Sequence, residues 1–221
     1  MSATGLLYVG AVLFVNGLSL LGAVRGTSMI PMNLFVGVLQ IITPLYLIFP
    51  AHGNEGVIVG ASGLFLFAFT YLYVAMNNAF HLDGTGLGWF CLFVAVTAGV
   101  YAFWNYANYS GINSGRDVGY LLGCLWTNWA FLWLLFWIVL GIGKTGYSKY
   151  TGAVCASQGV YTGLVPALIL LNFSSAITVG LAIGIGAFAL VSDVVLALLL
   201  KPSWRIAPPA DPAYSPLRDA V

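Results

Sequence analysis

Charge is scarce in this chain, and where it falls decides the fold. Lys, Arg, Asp and Glu make up 6% of 221 residues, and all but Asp193 lie in short links or in the tail, between and beyond long apolar runs. A helix of about 20 apolar residues crosses the hydrocarbon of a bilayer. Backbone inside lipid must also satisfy its own hydrogen bonds, which favours helices. Seven such runs can be drawn, at 4–24, 30–50, 56–79, 86–108, 118–142, 152–173 and 175–200. The links are Arg25–Thr27, His52–Glu55, His81–Thr85, Ser110–Asp117, Lys144–Lys149 and Ser174–Ser175. The expected fold is an all-α polytopic membrane bundle of seven spans. A hydrophobic content of 61% and a mean hydropathy of +0.97 leave almost no mass outside the membrane. The first run starts almost at Met1 without a basic n-region, so it reads as an uncleaved span.

The basic residues set an expected orientation. Arg25, Lys144, Lys149, Lys201, Arg205 and Arg218 fall on one side of a seven-span arrangement and only Arg116 on the other. The positive-inside rule then places the N-terminus outside and the C-terminus in the cytoplasm. Pro202–Val221, rich in Pro and Ala, reads as a disordered cytoplasmic tail. A formal charge of +1 gives no basis for nucleic-acid binding. Cys91, Cys124 and Cys155 lie in apolar segments without metal-ligand spacing and read as small buried hydrophobes. His52 and His81 stand in links on opposite sides and cannot jointly hold a haem in the membrane. No lysine lies deep enough for a retinal Schiff base. No nucleophile–base pair or cofactor motif lies at membrane depth, so neither an enzyme nor a cofactor is expected.

Tyr120–Trp137 carries tryptophans at 126, 129, 133 and 137, within an arc of roughly 80° on one helical face. Tryptophan favours the membrane's edges, so a row along its depth either packs on neighbouring helices or lines a path. Taken alone it reads as an aromatic core stripe. Other spans carry neutral polar residues at helical spacing. Leu6, Val9, Leu13 and Asn16 share a face of the first span, and Phe69, Tyr73 and Asn77 recur at i, i+4, i+8 in the third. Gln158, Tyr161 and Thr162 share a face of the sixth, before Pro166, which should kink that helix. Singly, each reads as interhelical hydrogen bonding. Together they would suit a narrow conduit for something neutral and flat, because such walls do not replace an ion's hydration shell. Asp193, about two turns from Lys201, reads as a structural group near the cytoplasmic edge.

LLYVGAVLFVNG at 6–17, MNLFVG at 32–37, FAFTYLYVAMN at 67–77, LDG and WFCLFVA within 82–95, and the tryptophan stretch occur in one order. In combination they resemble the AmiS/UreI family of bacterial urea and short-chain amide channels, over about residues 6–170. The resemblance implies a six-helix channel bundle over 1–173, followed by an extra span over 174–200 and the tail over 201–221. It implies a multi-pass protein of the bacterial cytoplasmic membrane, a homo-oligomer (a hexamer in the best-known member) with one pore in each protomer. The solute would be urea or a short-chain amide, passing without energy input toward a cytoplasmic urease or amidase. Carried over by motif, Leu6, Val9, Leu13, Asn16 and Val36 would face the pore. Phe69, Tyr73, Trp126, Trp129 and Trp133 would form aromatic constrictions, with Leu132 beside them.

Three departures from that pattern stand out. The acid-living member's urea channel has a carboxylate in its sixth helix where this chain has Gln158, so a pore proton site is in doubt here while the amide could still touch solute. That member carries a long histidine-bearing loop where this chain has only PAHGNEG with His52, so little acid gating is expected. It also ends after six spans, whereas Thr178–Leu200 adds one, whose Gly180, Gly184 and Gly186 would allow close packing at the bundle's periphery or between protomers. A proton-coupled transporter using Asp193, and a seven-span sensor, stay as alternatives.

Overall fold

The computed structural model describes residues 3–107 and 115–205. Residues 110–114 of the fourth link and the tail from residue 206, including Arg218, lie outside the described residues. Among the described residues, seven helical segments are long and apolar enough to cross a membrane. Helix α1 spans Ala3–Leu20, α2 Ile30–Ile48, α3 Glu55–Phe80, α4 Thr85–Tyr106 and α5 Arg116–Phe136, which runs on as a π turn over Trp137–Gly141. The sixth span is composite: α6 over Ser148–Gln158, a π turn over Gly159–Leu164, and α7 over Val165–Asn172. Helix α8, Val179–Leu200, is the seventh. The bundle's exterior is apolar, with Phe35, Ile42, Phe93, Phe103, Val194 and Leu198 all exposed.

Local chemistry sets the boundaries. The first helix stops at Leu20, short of the expected 24, where the chain turns through Gly22 at φ +81°. The seventh starts at Val179 and not at 175, because Thr178 is its N-cap and accepts from the Leu181 amide at 3.2 Å. A 3-10 turn over Ser174–Ala176 fills the gap. Pro166 falls just after the π turn in the sixth span, a common site of helix irregularity next to a missing donor. Pro202–Arg205, expected to begin the tail, are held in place. Ser203 donates from its backbone to Gly146, and the Trp204 ring packs on Tyr147 with Lys144 Nζ 4.8 Å from its centroid.

Small residues let two pairs of elements approach to backbone contact. A Cβ at Gly10 of α1 would lie 2.6 Å from the Gly159 carbonyl oxygen, and one at Gly17 2.6 Å from that of Gly152. The seam between α1 and the sixth span is thus built on glycines seven apart on both sides. Gly88 of α4 meets Gly141 of the π turn in the same way. Of the three glycines expected to tighten the seventh helix, only Gly186 does so, with its Cβ position 2.7 Å from Cys124 Cβ. Gly184 faces open space and Gly180 meets only the Thr178 hydroxyl, at 3.9 Å, because α8 touches the bundle along one narrow stripe of Ala182, Gly186, Ala189 and Asp193.

Candidate functional site

Eight of the residues expected at the site fall in the bundle's buried core. Leu6, Val9 and Leu13 of α1, Val36 of α2, and Trp126, Trp129, Leu132 and Trp133 of α5 are all at most 4% exposed and belong to one contiguous core. The hub of their aromatic part is Phe67 of α3. Its ring centroid lies 5.2 Å from Trp126, 4.9 Å from Trp129 and 5.2 Å from Trp133, the last two edge-on. Edge-to-face contacts at this spacing are favourable beyond the area they bury. Trp137 leaves this group. The π turn that begins at it carries the ring to Trp89 of α4, at 5.9 Å.

Helix α3 supplies the main correction to the sequence reading. Phe69 is half exposed on the outside, stacked on Phe65, and Tyr73 is only partly buried. The interior aromatics are Phe67 and Tyr71, at 0% and 1% exposure. Steps of four drift about 40° around a helix each time, so the arc of Phe69, Tyr73 and Asn77 straddles the bundle's edge, with Phe69 on the outside and Asn77 buried. The missed signal was the small residues Ala61, Ala68 and Ala75, seven apart and buried, which mark the inward face.

Most of the polar groups expected at the site are committed to the protein. Trp129 Nε1 donates to Thr162 Oγ1 at 2.9 Å, and that hydroxyl donates to the Gln158 carbonyl at 2.6 Å. Trp133 Nε1 donates to Thr70 Oγ1 at 3.3 Å. These two indole donors are therefore not available to a solute. Asn16 forms a reciprocal pair with Asn33, at 2.9 and 2.6 Å, which ties α1 to α2. Asn77 Nδ2 bonds the Asp83 carbonyl and secures the α3–α4 link. Tyr161 turns away from the centre and packs its ring on Phe188 of α8 at 4.8 Å.

Among the buried side-chain atoms without a partner are the hydroxyls of Tyr71 and Thr151, Gln158 Oε1 and Asp193 Oδ1. Asp193 is 2% exposed and makes an interhelical hydrogen bond. Its Oδ2 accepts from Gln158 Nε2 at 2.8 Å. The seventh helix is thus tied to the sixth span through Gln158.

The AmiS/UreI family transporter model matches residues 1–173. A putative transporter protein, AmiS2, of Rhodococcus erythropolis is 41% identical over 211 residues, covering 95% of this chain and 98% of its own. A putative amidate substrates transporter protein of Mycolicibacterium smegmatis is 42% identical over 172 residues, 78% of this chain and 77% of its own. The crystal structure of the Helicobacter pylori urea channel superposes with a TM-score of 0.66 at 32% identity, over 78% of this chain and 98% of that one. With its all-helical bundle and this match across most of its length, the chain is a member of the AmiS/UreI family of membrane transporters.

Proposed function

We propose that the protein is a passive channel for urea or short-chain aliphatic amides, with the path running through the protomer's own bundle. The observation that supports it most directly is the Phe67–Trp126–Trp129–Trp133 cluster, an uncharged aromatic centre flanked by the partnerless Tyr71 hydroxyl and Gln158 side-chain oxygen. Aliphatic Leu6, Val9, Leu13, Val36 and Leu132 complete the wall, and Phe67 and Tyr71 take the constriction roles that the motif match gave to Phe69 and Tyr73. Such a centre costs an ion many kcal/mol of hydration. A flat amide loses far less and can slide between rings while trading hydrogen bonds with the two free groups. Phe67 packs on Trp126, Trp129 and Trp133, so passage of a solute between these rings requires them to part.

The end bearing Arg25, Lys144, Lys201 and Arg205 is assigned to the cytoplasm, with a bacterial cytoplasmic membrane as the location and a homo-oligomer as the assembly. Residues 1–173 form the conducting bundle and 174–200 an accessory helix. No acid gate is assigned to the short 49–54 turn. A buried Asp193 favours one second reading, a proton-coupled carrier.

Stopped-flow uptake into proteoliposomes separates them. Urea, acetamide and glycerol are compared at pH 5 and 7.5, with and without a proton gradient. The channel reading expects urea or amide flux that does not saturate, ignores the gradient and exceeds that of glycerol. Flux that follows the gradient would replace it with the carrier, and absence of any flux above empty liposomes would refute both.

A further inference from the structure

A urea or amide brings N–H groups that donate and a carbonyl oxygen that only accepts, so a path that recognises it needs donors as well as acceptors. Few donors are free at the bundle's centre. The indole N–H groups of Trp129 and Trp133 are spent on threonine hydroxyls. The partnerless oxygens of Gln40, Asn77, Asn128 and Gln158 belong to amides that already donate through nitrogen, and an amide oxygen only accepts. The Asp193 carboxyl is engaged with Gln158. Trp137, whose indole N–H is also partnerless, packs on Trp89 of α4, away from the cluster. Two buried hydroxyls are left, those of Tyr71 and Thr151, and neither donates nor accepts.

Thr151 is the less expected of the two. A threonine or serine hydroxyl inside a helix can return to the carbonyl four residues earlier. Thr70, Thr127, Ser157 and Thr162 do so here at 2.6 to 2.9 Å. Thr151 makes no such bond to Tyr147. Its chain neighbours show which way it faces. Tyr150 points to α8, where its hydroxyl donates to the Asp193 backbone carbonyl at 3.1 Å. Gly152 meets α1, with its Cβ position 3.0 Å from the Gly17 carbonyl oxygen. Thr151 stands about 100° from each of them around α6, and its full burial puts it on the inward face between the two helices. One turn on, Cys155 shares that face. Its thiol donates to the Leu13 carbonyl at 3.2 Å and lies within electrostatic reach of Tyr71. Thr151 thus continues the wall of Leu13, Tyr71 and Cys155 by one turn, toward the end that bears Lys144 and Lys149.

We propose that Thr151 is a solute-binding residue of the path: its hydroxyl donates to the carbonyl oxygen of urea or a primary amide one turn beyond Cys155. This rests on the channel reading and adds to it a donor that the tryptophans do not supply. A buried hydroxyl without a partner costs stability, and the solute's carbonyl offsets that cost while it is bound.

Thr151→Val tests this, because it keeps the shape of the side chain and removes the hydroxyl. Proteoliposome flux is measured in the wild type, Thr151→Val and Thr151→Ser for acetamide and for thioacetamide, which has the same N–H groups but a sulfur that accepts far more weakly. In Thr151→Val the acetamide flux should fall about tenfold, the worth of one hydrogen bond at a desolvated site, while thioacetamide changes little. Thermal stability should be kept or raised, since no bond within the protein is lost. Thr151→Ser returns the hydroxyl and should restore most of the acetamide preference. An unchanged preference in Thr151→Val overturns the role of Thr151 alone, as does a serine variant no better than the valine one. So does an equal loss of both fluxes together with a lower Tm, which would make the hydroxyl structural. Absence of flux for both solutes in the wild type overturns the channel reading and this role with it.

Discussion

The glycine seam between α1 and the sixth span makes a prediction whose size can be worked out from distances. In Gly10→Ala the new methyl would sit 2.6 Å from the Gly159 carbonyl oxygen, 2.7 Å from the Leu164 nitrogen and 3.0 Å from the Gly163 carbonyl carbon. All three are backbone atoms, so no side chain can swing aside. The first lies about 1 Å inside ordinary van der Waals separation, and the helices must part by roughly that amount. Overpacking of this kind typically costs about 1–3 kcal/mol, against about 1 kcal/mol gained from replacing a mid-helix glycine by alanine. The net expectation is a loss of up to about 2 kcal/mol, or a Tm lower by up to about 8 °C for a chain of this size. The control is Gly184→Ala on the seventh helix, where nothing lies within 4 Å and only the propensity gain applies. Thermal unfolding of both variants in one detergent gives the comparison. If Gly10→Ala proves as stable as Gly184→Ala, the backbone contact between these helices is wrong, and the placement of Gln158 one residue from Gly159 goes with it.

Two further outcomes are expected. Phe67→Ala empties the centre of the aromatic cluster and should cost about 3–5 kcal/mol, with a changed ranking of urea against bulkier amides, whereas Phe69→Ala on the outside should stay within about 0.5 kcal/mol in the detergent-solubilised protomer; equal effects would restore Phe69 to the path. His52 and His81 both close helices in the left-handed region, at φ 47° and 54°. His52→Gly and His81→Gly should therefore raise stability by up to about 1 kcal/mol and leave flux alike at pH 5 and 7.5. A pH-dependent change in flux from either variant would give that histidine a gating role.

Much of this was legible in the sequence because bilayer thickness fixes helix length and charge marks the links. The seven spans follow from that alone, and helical spacing marks the buried faces of α1 and α5. Helix α3 misled because FAFTYLY contains two aromatic pairs at i, i+4, Phe67 with Tyr71 and Phe69 with Tyr73. Aromatic residues suit lipid as well as core, so only the spacing of the small residues separates the two faces. The reciprocal Asn16–Asn33 pair and the indole bonds to Thr70 and Thr162 link separate spans, with partners 17 to 63 residues apart, and no local pattern announces them.

Asp193 shows best why a position cannot be judged within its own helix. From the sequence it stands two turns from Lys201, in a span whose glycines suggested general close packing. In the structure only one stripe of that span touches the bundle, and it runs through Gly186 to Asp193. Gly186 lets α8 settle on Cys124, and that contact sets the depth at which the carboxylate meets Gln158. With the seventh span docked, Asp193 Oδ2 accepts from the Gln158 amide nitrogen and ties the two helices at that level. A substitution at Gly186 that lifts α8 away should therefore disturb the Gln158 amide as surely as a substitution at Asp193 itself.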